Sequence, residues 1–288
     1  MTFKKNNYTR PMFYYSKWHR LCSTISRCRL TACTASESLA LADDRHFIVL
    51  KHDVEADVPK AHHMAMIEHA HGIRGSYYVQ ACLLQDPHNV ALLKAMTGWG
   101  HEVSYHYDVL DANNGDYARA ERDFDRNLDM FARHGFVFRT VCQHGNPVKR
   151  RVGYTSNRDF FRHPDIRQRH PGLVDMVVDY SRHVHDSYFY ISDAGYRWSL
   201  IADPENNDIR HVHADVTLDG FDALLSMMQG GGCSLVISTH PHRWCGSAWQ
   251  AAMRVAAFRT LRGAARMAGK VPLLHTLLDR YYFLAKKI

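Results

Sequence analysis

The chain has 288 residues, 46% of them hydrophobic, a net charge of +7 and a pI near 9.0. That is enough apolar material for one large core, and the positive charge favours anionic surfaces or substrates without naming one. Cys22, Cys28, Cys33, Cys82, Cys142, Cys233 and Cys245 are odd in number and form no C-x-x-C pair, which argues against a zinc ribbon and a fully paired disulfide framework.

Residues 1–12 are polar, and 13–29 suit one amphipathic helix, while 31–45 read as a loose connector. Residues 47–51 (FIVLK) form a short buried strand, followed at once by Asp53 and Glu55. A helix over 59–71, with Ala61, Met64, Met66, Ile67 and Ala70 on or near its apolar face, is broken by Gly72 and Gly75. A strand at 76–80, a helix at 89–97 and a strand at 102–106 come next. The spacing then predicts a long helix over 116–134 with Gly135 at its C-cap, and a strand at 139–144. Further strands are expected at 176–180, 188–192, 211–216 and 234–239. A helix at 219–229 ends at a run of three glycines, and a helix from Ala248 is broken at Pro272.

Strands alternating with helices at this spacing mean βαβ units. About seven parallel strands suit a distorted (β/α) barrel, with a doubly wound open sheet as the alternative. The expected organisation is a helical extension and connector over 1–45, the barrel over 46–247, and a helical tail over 248–288 packed on the barrel.

Ligands in parallel α/β folds meet the C-terminal ends of the strands. Four strand ends here carry proton-transferring or metal-capable groups: Asp53 and Glu55, His106 followed by Asp108, His144, and His240. Carboxylates and imidazoles suit zinc and its first-row neighbours, cobalt, nickel or iron. A further carboxylate can take a proton from water and an imidazole can protonate a leaving group, so the pattern reads as a divalent-metal hydrolase.

Several stretches carry a more specific resemblance. They are Lys51-His52-Asp53-Val54-Glu55, then Gly100-His101-Glu102-Val103-Ser104-Tyr105-His106-Tyr107-Asp108, then Cys142-Gln143-His144-Gly145-Asn146-Pro147. Ser156-Asn157-Arg158-Asp159, Ser192 to Trp198 and Thr239-His240-Pro241 follow in order. Together, over about residues 45 to 245, they resemble the polysaccharide deacetylases of carbohydrate esterase family 4, the NodB-homology fold, in its divergent R-H-D-V-D branch. The resemblance implies a barrel that removes acetyl groups from N-acetylated sugars. It implies Asp53 as general base, Glu55 and His106 as metal ligands and His240 as general acid.

Two departures stand out. The main family's second metal histidine, four residues after the first, is Leu110 here, and His144 is the candidate to replace it. Glu55 stands where the branch has Asp, a change that moves an ion by about an ångström unless the backbone compensates. Asp108, Asn146, Arg158 and Asp193 are candidates for substrate contact, with Trp198 on the same loop as Asp193.

His52 points opposite Asp53 on its strand and reads as structural, His101 as packed, and His62, His63, His69 and His71 as solvated on the barrel's outside. Lys149, Arg150, Arg151, Arg158, Arg162, Arg167 and Arg169 either line a solvated loop or grip an anionic glycan carrier. Arg259, Arg262, Arg266 and Lys270 form either a polar helix face or a weak peripheral contact with an anionic membrane. No nucleic-acid reader motif, signal peptide or transmembrane stretch is found, so the expected compartment is the cytoplasm and the expected partner an N-acetylated sugar or glycan. The alternatives are another amide deacylase on this scaffold, or a catalytically decayed glycan-binding or assembly protein.

Overall fold

A computed structural model describes residues 12–28, 30–41, 45–146, 149–184, 187–209, 215–230 and 233–268. Helix α1 (Tyr15–Ile25) buries Trp18, Leu21, Cys22 and Ile25, one face at helical spacing. A two-residue strand β1 (Thr31–Ala32) and a one-turn helix α2 (Ala35–Ser38) follow. Strand β2 (Phe47–Val54) leads into α3 (Val58–Ala70), which Asp57 caps from a left-handed conformation with Pro59 in the first turn. Next come β3 (Ser76–Val79), α4 (Pro87–Gly98), β4 (Glu102–Tyr107), the short α5 (Val109–Ala112) and the long α6 (Tyr117–Arg133). Gly135 ends α6 at φ +76°, a conformation that glycine adopts without penalty. Then follow β5 (Thr140–Gln143), α7 (Arg158–Arg162), α8 (Pro164–Arg169), β6 (Val174–Asp175), β7 (Tyr188–Ser192), β8 (Ser199–Ile201) and β9 (Val216–Thr217). Helix α9 (Gly220–Gly230), strand β10 (Ser234–Thr239) and helix α10 (Ala248–Ala268) complete the described chain. Residues 211–214, Lys270 and Pro272 lie outside the described residues, as do the side chains of Arg262 and Arg266.

The strands pair in the order β6-β5-β4-β3-β2-β10-β7-β8-β9. The seven from β6 to β7 are parallel, while β8 and β9 extend the edge antiparallel. Pairing β10 with β2 joins the last strand of the parallel set to the first, so the ladder runs round a barrel. Among the described residues only β6 and β7 lack a ladder across this ring. At that seam Tyr180, just after β6, packs edge-on against Tyr188 with ring centroids 5.2 Å apart.

Strands β2, β3, β4 and β10 are buried on both faces, as expected for parallel strands covered by helices. Phe47 and Val49 of β2 point inward with Tyr78, Cys142, Met176, Tyr190 and Val236. Ile48 and Leu50 point outward against α1, α3 and α9, and Val54 joins the apolar layer under α4 and α6.

Two expectations change. Within the expected connector over 31–45, residues 31–38 are ordered into elements: β1 pairs with the start of β2, and α2 plugs the barrel's N-terminal mouth. The amide of Ala35 donates to Ser76 Oγ, and the amide and hydroxyl of Ser36 donate to the Glu102 carboxylate, which also receives Ser76 and Thr140. The strand expected at 176–180 ends at Asp175 instead. The Asp175 carboxylate accepts from the amides of Val177 and Val178 at 2.8 and 2.7 Å, which folds the chain into a turn.

Removing the buried carboxylate that collects the plug should leave several donors without partners, each costing about 1–3 kcal/mol. Glu102→Ala is therefore expected to lower stability by at least about 3 kcal/mol in urea. Hydrogen exchange at the Ala35 and Ser36 amides should quicken while the β2 amides stay protected.

Candidate active site

Strand β2 runs three residues beyond the expected 47–51, because β3 and β10 pair with it on both sides, out to Val54 and His52 respectively. Asp53 therefore lies inside the strand, and alternation sends Lys51 and Asp53 inward above the apolar floor. A charge in a doubly buried strand needs a partner. Lys51 Nζ lies 2.5 Å from Asp53 Oδ1 and donates to Ser238 Oγ at 3.3 Å. Burial opposes ionisation of Asp53, yet the Lys51 ammonium outweighs it and holds the carboxyl below its ordinary value.

Glu55, just past the strand, comes to His144 Nε2 at 3.2 Å and His106 Nε2 at 3.9 Å through one oxygen, Oε1. Burial works against its charge, but His144 outweighs it and holds its carboxyl well below the usual range. His106 is fixed from behind: its Nδ1–H donates to the Cys142 carbonyl at 3.1 Å. Burial lowers its pKa against the pull of Asp53 and Glu55, so the ring is neutral. Its Nε2 is then a buried lone pair with no hydrogen-bond partner. A neutral imidazole oriented through its other nitrogen is how proteins present histidine to a metal.

Glu55, His106 and His144 offer ligand atoms within 4.8 Å of one another, and so do Asp53, His106 and Cys142. Four ligands at 2.0–2.1 Å round a tetrahedral ion are about 3.3 Å apart. The 3.2 and 3.9 Å separations in the outer group sit close to that value, so these side chains fit a divalent ion. Leu110 could contribute no ligand, since it faces the apolar cluster around Phe124 with no exposure.

His240 follows β10. Its Nε2 lies 3.8 Å from Glu55 Oε1 and 3.9 Å from Asp53 Oδ2. Its Nδ1 lies 2.6 Å from Asp193 Oδ1. Asp193 also accepts from the His240 amide, Thr239 Oγ1 and Arg243. Burial disfavours its charge, but Arg243 and His240 hold the carboxyl far below the usual range.

The structure thus gathers Asp53, Glu55, His106, His144 and His240. It does not put Asp193 beside them as a solvent-facing contact: the side chain is buried and its acceptors are taken by His240, Thr239 and Arg243. Trp198 is buried against Phe13, away from solvent. Asp108 is half-buried at the start of α5, making no cap with its side chain. The Asn146 carbonyl accepts from Arg151. Arg158 binds Asn207 at 2.6 Å and Asp208 at 3.0 Å.

Most of the basic cluster after His144 is matched internally: Arg151 by Asp111, Arg162 by Asp159 and Asp208, Arg167 by Asp179, and Arg169 by Glu121. His52 is buried on the outer face, its Nε2 3.0 Å from Glu68 Oε1 and its ring stacked on Tyr77. His101 accepts from the Gly75 amide through Nδ1 and so donates Nε2–H to the Ala65 carbonyl.

Lys51 and Arg243 escaped the sequence reading. A lone lysine closing the apolar run FIVL, with an aspartate two residues on, was the available signal for the first. Arg243 had only its nearness to His240.

The depressed Asp193 carboxyl fixes a sign. A group whose folded pKa lies below its ordinary value of 3.8 stabilises the fold at neutral pH, and that contribution drains away as pH falls below about 3.8. Asp193→Asn should therefore be less stable than the wild type at pH 7, and urea denaturation should show the gap narrowing below pH 4. A gap that stays constant down to pH 2 would mean that the carboxylate's charge is not what stabilises.

Neither the family models nor the curated proteins contain a match to the sequence. Among solved structures the chain is similar to a family 4 carbohydrate esterase from Streptomyces lividans in complex with acetate. The identity is 16%, over 77% of this chain and 91% of that chain, with a TM-score of 0.41. A likeness at that level carries no weight for function, and the chemistry of the site stands on its own geometry.

Proposed function

We propose that the protein is a metal-dependent hydrolase that removes an acetyl group from an N-acetylated sugar. One observation carries the reading: a carboxylate and two imidazoles, Glu55, His106 and His144, converge beside Asp53 and His240. The choice of an acetylated sugar over another amide comes from the motif resemblance around Asp53, His106, His144 and His240.

Glu55, His106 and His144 would hold a divalent ion, zinc first among the candidates and His106 through its unpartnered Nε2, and that ion would supply Lewis acidity to the attacking water and the acetyl carbonyl. Asp53 has one oxygen taken by Lys51 and the other turned towards His240. That second oxygen accepts a proton from the attacking water as the oxygen–carbon bond forms. His240, held at Nδ1 by Asp193, donates from Nε2 to the sugar nitrogen as the carbon–nitrogen bond breaks. The products are acetate and the free amine. In this scheme Asp193 positions His240, and Asp108 and Asn146 remain the candidates for substrate contact. Arg158, engaged by Asn207 and Asp208, contributes by holding its loop.

Among the described residues no helix is long and apolar enough to cross a membrane. We infer a protein that meets its glycan without spanning a bilayer, with the cytoplasm as the proposed compartment.

The test is acetate release from N-acetylated glycans alongside metal analysis. Asp53→Asn is expected to lose about 10²–10⁴ in kcat while keeping its metal, and Glu55→Gln to lose the metal. Loss of metal from Asp53→Asn would mean that the two carboxylates have exchanged roles. Release of acids other than acetate would favour a different amide deacylase. A wild-type chain that holds no divalent metal would favour a non-catalytic glycan-binding protein.

A further inference from the structure

Below the outer ligand group lies the second one, Asp53, His106 and Cys142, whose ligand atoms also fall within 4.8 Å of one another. The two groups share His106, so one ion has two places to go. By ligand type the inner group is the softer and the better suited to zinc, because a thiolate replaces an oxygen or nitrogen. The outer group therefore needs a reason to prevail.

That reason lies on the same strand. Lys51 is 1% exposed, one of the largest fully buried side chains in the protein. Its Nζ touches Asp53 Oδ1 at 2.5 Å, donates to Ser238 Oγ and sits 5.5 Å from the centre of the Tyr78 ring. A monovalent cation thus already occupies the acidic end of the inner group. A divalent ion bound to Asp53 and Cys142 would meet this ammonium a few ångströms away, in a medium of low dielectric. Burial works to discharge Lys51, but the Asp53 carboxylate beside it outweighs burial and holds the ammonium's pKa above its ordinary value. The same contact turns Asp53, leaving Oδ2 as the oxygen that faces His240.

We propose that Lys51 is the positioning residue that decides between the two ligand groups: its ammonium fills the cation position of the inner group, reserves Asp53 for proton transfer and leaves the metal to Glu55, His106 and His144. The inference rests on the metal-site reading above and adds a specificity device to it.

Cobalt(II) titrated into the metal-free full chain reads this directly, because a thiolate ligand adds an intense charge-transfer absorption that imidazoles and carboxylates do not. The wild type is expected to bind cobalt without that band, and Cys142→Ser to leave the spectrum unchanged. Lys51→Met should gain the band, and Cys142→Ser in that background should remove it. Lys51→Arg, which keeps a cation, should retain the wild-type spectrum. If Lys51→Met is too unstable to purify, Lys51→Gln, which can still donate a hydrogen bond to Asp53 but carries no charge, should show the band. A thiolate band in the wild type that Cys142→Ser abolishes would overturn the proposal and leave the metal-site reading intact. So would a spectrum in the Lys51→Met chain, or in the Lys51→Gln chain, identical to that of the wild type. Failure of the wild type to bind cobalt would sink the metal-site reading and this inference with it.

Discussion

The ladder between β10 and β2 joins residues 187 apart in the chain, and the candidate site depends on it. Thr239 pairs with His52, so His240 emerges next to Asp53 and to Glu55, which follows the strand. Slipping this register by one residue would turn Lys51 and Asp53 outward and His52 inward, because side chains alternate with a period of two. The same ladder joins the two ends of the parallel set and lets the sheet curl around the core beneath the site.

Strand β2 buries polar groups on both faces, which makes its packing demanding. Inside, Lys51 and Asp53 answer each other. Outside, His52 meets the fully buried Glu68, which also receives the Trp18 indole and the Tyr77 hydroxyl. Buried pairs of this kind add little net stability over an apolar alternative, but breaking one costs about 3–5 kcal/mol. They make the register of β2 specific. They also tie α1, through Trp18, to the back of the strand whose front holds the candidate base.

The rim itself is stiff. His106 is pinned by a backbone carbonyl, the His144 amide donates to the Tyr107 carbonyl at 2.7 Å, and His240 is gripped by Asp193, itself clamped by Arg243. Groups held on strand ends by a second layer of hydrogen bonds keep their geometry without help from a ligand. Leu110 has no ligand atom to offer. That position lies on a helix turn packed against the core, and Glu55 meets its second imidazole on His144, just past strand β5.

Much of this was open to reading from residues alone. The apolar runs of β3, β4, β7 and β10, the Pro and Asp starts of α3 and α4, and Gly135 after α6 are local signals, decided within a few residues. The parallel fold class follows from their alternation, and the strand-end acids and histidines follow from the fold class. What escaped was non-local. Thr34 and Glu37 make a capping box that announces α2 in the sequence, but its task as a plug depends on Glu102, Thr140 and Tyr180. Asp175 ended β6 early by binding its own chain. Asp193 turned inward because Arg243 and His240 converge on it. The sequence by itself determined the elements, their order and which chemical groups stand at the strand tips, because propensity and periodicity act over short distances. Only the tertiary structure decided which of those groups meet, since a buried charge takes the partner that the barrel brings to it, however distant in the chain.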